Sequence, residues 1–165
     1  MLLFYLMPAC MNEEKLKFLQ NDFIESVQKL NTDTLPKWGK MNAQQMVEHV
    51  TDFFKVSTKK LLFPLVTPVE HLPKYLEFLY SDKPFRENTK GPENIVPVEP
   101  SPTYYPTLQA AVETLEKEVT YFFAYFKDAA DKKTLHPVFG ELNFEEWVLL
   151  HYKHVTHHLR QFGLI

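Results

Sequence analysis

Apolar residues recur at intervals of three and four in four long blocks, the repeat of one face of an α-helix. In residues 13–30 the stripe is Leu16, Leu19, Phe23, Val27 and Leu30, and the acidic pair Glu13 and Glu14 suits the start of a helix dipole. Residues 31–39 form a connection broken by Pro36 and Gly39. Asn42 suits the N-cap of a second helix reaching about residue 60, with Met46, His49, Val50, Phe53 and Val56 inward. The third block, residues 107–130, carries Leu108, Ala111, Val112, Leu115, Val119, Phe122, Phe123 and Phe126, with Glu113, Glu116, Lys117 and Glu118 mainly off the stripe. The fourth opens on a capping-box pattern, Asn143 to Glu146, and ends near Phe162, with Gly163 as the natural stop.

The segments between these blocks are shorter or less regular. Residues 61–68 are apolar but interrupted by Pro64 and Pro68, and a short helix is expected over 69–80 with Pro73 in its first turn. His71 belongs on the surface or in a turn. Residues 83–106 hold six prolines and read as a long crossover passing over one end of a bundle, the kind of connection that is usually functional or mobile. Residues 131–142, including His136-Pro137-Val138-Phe139-Gly140, read as a loop. No strand ladder, internal repeat or Gly-rich phosphate loop is evident. The expected fold is therefore all-α, a four-helix bundle with a Pro-rich crossover between helices two and three.

Composition narrows the function classes. The 165 residues suit one domain, and 14 phenylalanines suit thick helix packing. The net charge of -3, without a block of lysine or arginine, leans against nucleic acid as a partner. No stretch is long and apolar enough to span a bilayer. The single cysteine, Cys10, excludes an intrachain disulfide and a Cys-rich metal site, and fits a reducing cytoplasm. Residues 1–12 are read as an N-terminal extension that need not be ordered or native, and residues 13–165 as the domain.

The chemistry concentrates at the end of the chain. Four of the seven histidines fall in residues 151–158. At about 100° per residue, His151, His154 and His158 share the face that carries Trp147, Val148, Val155, Leu159 and Phe162, while His157 lies off it and should be solvated. Buried imidazoles need partners for both ring nitrogens, so two of them four apart on an apolar face are hard to explain as packing. His49 lies on the inward face of helix two. In a bundle, His49, His154 and His158 would form a three-histidine site with an open coordination position, as catalytic metal sites have. Imidazoles suit zinc, nickel, iron(II) or copper(II). His151, one turn before His154, is either an outer group, a fourth ligand or a core histidine bonded to backbone. Glu48 is about 100° round from His49 and should not share the ion. Glu145 and Glu146 belong to the cap, His136 is more readily a surface residue than a site residue, and Arg160 is the closest cation in sequence, better explained by the helix dipole. A serine nucleophile has no support, for want of a Gly-x-Ser-x-Gly turn.

Three stretches also resemble a known family: Lys-Trp-Gly-Lys-Met-Asn-Ala-Gln-Gln-Met-Val-Glu-His (37–49), His-Pro-Val-Phe-Gly-Glu-Leu (136–142) and His-Val-Thr-His-His-Leu-Arg-Gln-Phe (154–162). Together they resemble the DinB-like superfamily, closest to its subgroup of unknown function, over residues 13–165. The resemblance implies an up-down-down-up four-helix bundle. It also implies a divalent metal held by His49, His154 and His158, the residues the helical face selects. Relatives include thiol-dependent S-transferases, a thiol-dependent isomerase and metal hydrolases, and many form homodimers. His151 is not part of the usual triad.

The leading expectation is a metal-dependent enzyme acting on a small molecule, either a hydrolase or a low-molecular-weight thiol S-transferase. In the latter the metal would hold the thiol as thiolate. The alternatives are a non-catalytic metal-binding or stress-response module, which should have no cavity beside His49 and His154, and a metal-free helical interaction protein.

Overall fold

In the computed structural model, which describes residues 9–92, 95–129 and 131–165, helices dominate and pack around the fourth apolar block. The proposed extension lies mostly outside the described residues, but the first helix, α1 (Ala9–Lys17), already begins at Ala9. A π-helical turn over Phe18–Asp22 joins it to α2 (Phe23–Val27). The expected first helix is therefore one rod with a wide turn in it, and nothing in the residue pattern marks that turn. Leu19, Phe23 and Val27 still reach the core.

Helix α3 (Ala43–Ser57) starts at the expected cap, where Asn42 Oδ1 accepts from Gln45 N and Gln45 Oε1 accepts from Asn42 N. It stops short of residue 60. The Ser57 and Thr58 hydroxyls turn back to the Phe54 carbonyl, Lys59 takes a left-handed φ of 60, and Lys60 N and Leu61 N both donate to Lys55 O. These bonds satisfy carbonyls that the helix would otherwise leave open. A 3-10 turn, Val69–His71, leads into α4 (Leu72–Tyr80) with Pro73 in its first turn and His71 exposed, as expected. Helix α5 (Leu108–Phe126) is capped by Thr107, whose hydroxyl accepts from Ala110 N. It ends four residues before 130, and Ala130 lies outside the described residues.

The expectation of a loop over 131–142 needs correction. Strands β1 (Thr134–His136) and β2 (Gly140–Leu142) form a short antiparallel hairpin in the register Thr134↔Leu142 and His136↔Gly140. His136 Nδ1 holds the turn by accepting from Val138 N at 3.0 Å and Phe139 N at 3.1 Å. Trp147 Nε1 donates to Thr134 Oγ1, which donates to Ser57 O, so the hairpin is fastened to both flanking helices. Three-residue strands carry too little alternation to register as a strand pattern.

Helix α6 (Phe144–Gln161) has the expected capping box at Asn143 and Glu146, and Gly163 follows it at φ +68. Trp147, Leu150, His151, Val155 and Leu159 are fully buried. It packs on α1, α2, α3 and α4, while α3 packs also on α5, giving a helical bundle. Among the described residues no helix is long and apolar enough to cross a membrane.

The crossover is irregular but well anchored. Buried Glu48 accepts from Tyr104 N, Tyr105 N and Gln44 Nε2, and Gln44 Nε2 also reaches Tyr105 O at 2.7 Å. Gln45 Nε2 donates to Ser101 O, and Lys40 pairs with Glu99. At the other end Lys153, buried on α6, donates through Nζ to Ser81 O and Lys83 O. Burial holds its ammonium down at a pKa of about 8.

Candidate metal centre

The second and last long helices bring three imidazoles to one point. His49 Nε2 lies 3.0 Å from His154 Nε2, and His154 Nε2 lies 3.1 Å from His158 Nε2. One ligand atom from each of the three falls within 4.8 Å of the others, an arrangement that can hold a metal ion. His154 and His158 are buried at 8% and 6% exposure, and His49 is half-buried.

Tautomers follow from the hydrogen bonds. The Gln161 amide NH2 donates to Trp38 O at 2.8 Å, so its oxygen faces His158 Nδ1, also at 2.8 Å. His158 therefore carries its hydrogen on Nδ1 and presents a bare Nε2 to the other two rings. A hydrogen on His154 Nε2 can serve one neighbour, not both. Three nitrogens at this spacing thus share too few hydrogens among their lone pairs, and a cation relieves the conflict. A tetrahedral ion with N bonds of about 2.0–2.1 Å needs N···N separations of about 3.3 Å, so His49 and His158 need each move from His154 by only a few tenths of an ångström.

Burial keeps all three imidazoles neutral and ready to bind. It pushes His49 down to about 4, with Asp52 opposing and His157 assisting. It holds His154 and His158 well below the ordinary 6.5, with the neighbouring imidazoles adding to the effect. One feature opposes binding. His154 Nδ1 is buried with no partner, so moving the ring hydrogen there leaves an unpaired donor. That costs about 1–3 kcal/mol. Phe53 stacks on His154 at 4.0 Å and closes one face of the group.

The remaining sequence candidates are placed elsewhere. His151 is fully buried, stacked on Phe54 at 3.8 Å and 4°, and its Nε2 lies 3.0 Å from Ser57 Oγ. Because the Ser57 hydroxyl donates to Phe54 O, His151 Nε2–H donates to Ser57, leaving Nδ1 bare and unpartnered. His151 is outside the converging group. His136 is buried, not at the surface, because its ring serves the hairpin turn and packs on Phe53 and Trp147. Burial lowers it to about 3. Glu48 faces the crossover, as its angle from His49 requires. Glu146 serves the cap and accepts from Tyr80 OH. His157 is half-buried between Trp38 and Phe85, and is not freely solvated; the crossover that covers it cannot be inferred from a helical wheel. Arg160 is exposed beside it.

Gln161 escaped the sequence reading. Its signal was available: a polar residue three positions after His158, and therefore on the same face. Trp38 and Gly39, which complete the contact, could not be found that way, because they come from a distant connection.

The sequence profile described as the DinB superfamily matches residues 15–162. The chain belongs to the DinB superfamily. No curated protein and no solved structure matches it significantly. The DinB match covers the two histidine-bearing helices, so the converging imidazoles belong to the family domain and not to an appended segment.

Proposed function

We propose that this DinB-superfamily protein is a divalent-metal-dependent enzyme, a hydrolase or a low-molecular-weight thiol S-transferase, working on a small molecule. The observation that carries the reading is the convergence of the His49, His154 and His158 Nε2 atoms. These three residues would be the ligands. Zinc, nickel or iron(II) fits the all-imidazole donor set. A bound ion supplies Lewis acidity, which lowers the pKa of a water or thiol and polarises a substrate carbonyl.

The protein's own groups supply the rest. Gln161 holds the hydrogen at His158 Nδ1 and so keeps Nε2 free as a ligand. Phe53 shields His154 from water. Neutral imidazoles let the site load without first losing protons at pH 7. His151 supports the helix from the core and is not a ligand in this reading. A cytoplasmic homodimer without nucleic-acid or membrane partners fits the composition and the family.

The test is metal content by mass spectrometry on untagged protein, wild type beside the His49→Ala, His154→Ala double variant. About one ion per chain in the wild type, lost in the variant, is expected. Wild-type protein that takes up no zinc, nickel or iron(II) would leave a helical binding module instead.

A further inference from the structure

Two buried ring nitrogens of α6 stand without a partner, His151 Nδ1 and His154 Nδ1. Orphaned polar atoms at this depth are uncommon enough that each calls for a cause. The two residues are three apart on one helix face, where Cβ atoms lie about 5–6 Å from each other. Burial first, and then the imidazoles of His158, His49 and His151, hold His154 well below the ordinary 6.5, which puts His151 within electrostatic reach of it. Phe53, Phe54 and Trp147 pack around His151, and their rings offer no acceptor.

The two orphans are of opposite kinds once His154 serves as a ligand. Ser57 gives its own hydrogen to Phe54 O, so it accepts from His151 Nε2–H, and His151 Nδ1 is left as a bare acceptor. His154 approaches His49 and His158 through Nε2. An imidazole that binds metal through Nε2 carries its one hydrogen on Nδ1, and ligating histidines almost always donate that hydrogen to a partner. Helix α6 thus sets a bare acceptor one turn before the place where metal loading puts a donor. No direct bond joins the two nitrogens. A buried water is the usual bridge between unsatisfied polar atoms too far apart to touch.

We propose that His151 is a positioning residue of the metal centre. In the loaded protein one buried water accepts from His154 Nδ1–H and donates to His151 Nδ1, which holds the His154 tautomer that leaves Nε2 free for the ion. Ser57 takes part by keeping the His151 hydrogen on Nε2. The inference deepens the metal reading of His49, His154 and His158 and rests on it.

Two substitutions separate positioning from packing. His151→Phe keeps a ring to stack on Phe54 and removes the acceptor; His151→Asn keeps an acceptor near Nδ1 and removes the stack. Zinc stoichiometry is read by mass spectrometry and zinc affinity by competition with a chromophoric chelator, on variants whose melting curves establish folding. Both variants should still bind about one ion per chain. His151→Phe should bind it about 10–100-fold more weakly than wild type, the usual loss when a ligand's orienting partner is removed. His151→Asn should bind more tightly than His151→Phe despite a lower melting temperature. A packing role predicts the reverse order. Nitrogen–proton spectra of the imidazoles in zinc-loaded protein give a second reading that needs only the phenylalanine variant. The His154 Nδ1–H should exchange faster with solvent in His151→Phe, while the His158 Nδ1–H, held by Gln161, should not change. Zinc affinity in His151→Phe equal to that of wild type would overturn the proposal, as would an unaltered His154 Nδ1–H or an asparagine variant no better than the phenylalanine. In each of those cases the wild type still loads and the metal reading stands. Wild-type protein that takes up no zinc would overturn both.

Discussion

Gln161→Met removes one amide from the end of α6 at nearly constant volume, and it should weaken metal binding at the candidate three-histidine centre from outside. Gln161 is 3% exposed and makes two bonds of 2.8 Å, accepting from His158 Nδ1 and donating to Trp38 O. The local chain is built around it. Lys37 N donates to Gln161 O at 2.7 Å, and Gly39 sits at φ +80 where a Cβ would lie 2.6 Å from Gln161 Nε2. Methionine leaves the His158 Nδ1–H and the Trp38 carbonyl without partners. With partial relaxation, that costs about 2–4 kcal/mol of metal-free stability, which a domain of about 5–15 kcal/mol survives. For metal, loss of an orienting partner typically costs about 10–100-fold in affinity, or about 1.4–2.7 kcal/mol. Gln161→Glu separates orientation from mere packing: its carboxylate still accepts from His158 but cannot donate to Trp38 O. Zinc affinity measured by competition with a chromophoric chelator, on variants whose melting curves establish folding, should fall for Gln161→Met and hold or rise for Gln161→Glu. Equal zinc affinity in folded Gln161→Met and wild type would refute the positioning role, as would a Gln161→Glu variant as weak as the methionine.

Other expectations follow from the same contacts. His151→Leu should lower the melting temperature yet keep full metal stoichiometry by mass spectrometry, because His151 bonds Ser57 and stands outside the converging group; loss of the metal would make it a ligand after all. His136 has a folded pKa of about 3 against an ordinary 6.5, so its contribution to stability is complete above about pH 6.5 and is lost as pH falls toward 3. Protonation of His136 favours the unfolded chain by up to about 1.4 kcal/mol per pH unit in that window. His136→Asn, whose side-chain oxygen can still accept from the turn, should therefore give a shallower acid limb in urea titrations at successive pH values. Glu48→Gln should cost about 1.5–3 kcal/mol and speed amide exchange at Tyr104 and Tyr105, since the carboxylate accepts from both backbone N–H groups. Unchanged exchange there would mean that the crossover is held by other contacts.

The parts of this protein legible in one dimension are those governed by local periodicity. The four apolar blocks, the Asn42 N-cap, the Asn143 capping box and the stop at Gly163 follow from how each residue relates to neighbours three or four places away. The same rule brings His154 and His158 onto one face and marks Glu48 as turned away from His49. It fails where the cause lies elsewhere in the chain. The wide turn at Phe18–Asp22 and the hairpin at Thr134–Leu142 depend on packing and on the bonds of Trp147 and Ser57.

Periodicity thus settles which side chains face inward, because a helix repeats its own geometry without reference to anything else. It cannot decide which inward side chains meet. His151 and His154 occupy the same face of one helix, yet α3 sets Ser57 and Phe54 against the first and His49 against the second. His157 reads as solvated on its own helix, and only the folding of the crossover places Phe85 on one side of it and Trp38 on the other. Such encounters are fixed by the relative placement of helices and connections, a sum of many long-range contacts that no short window of residues contains.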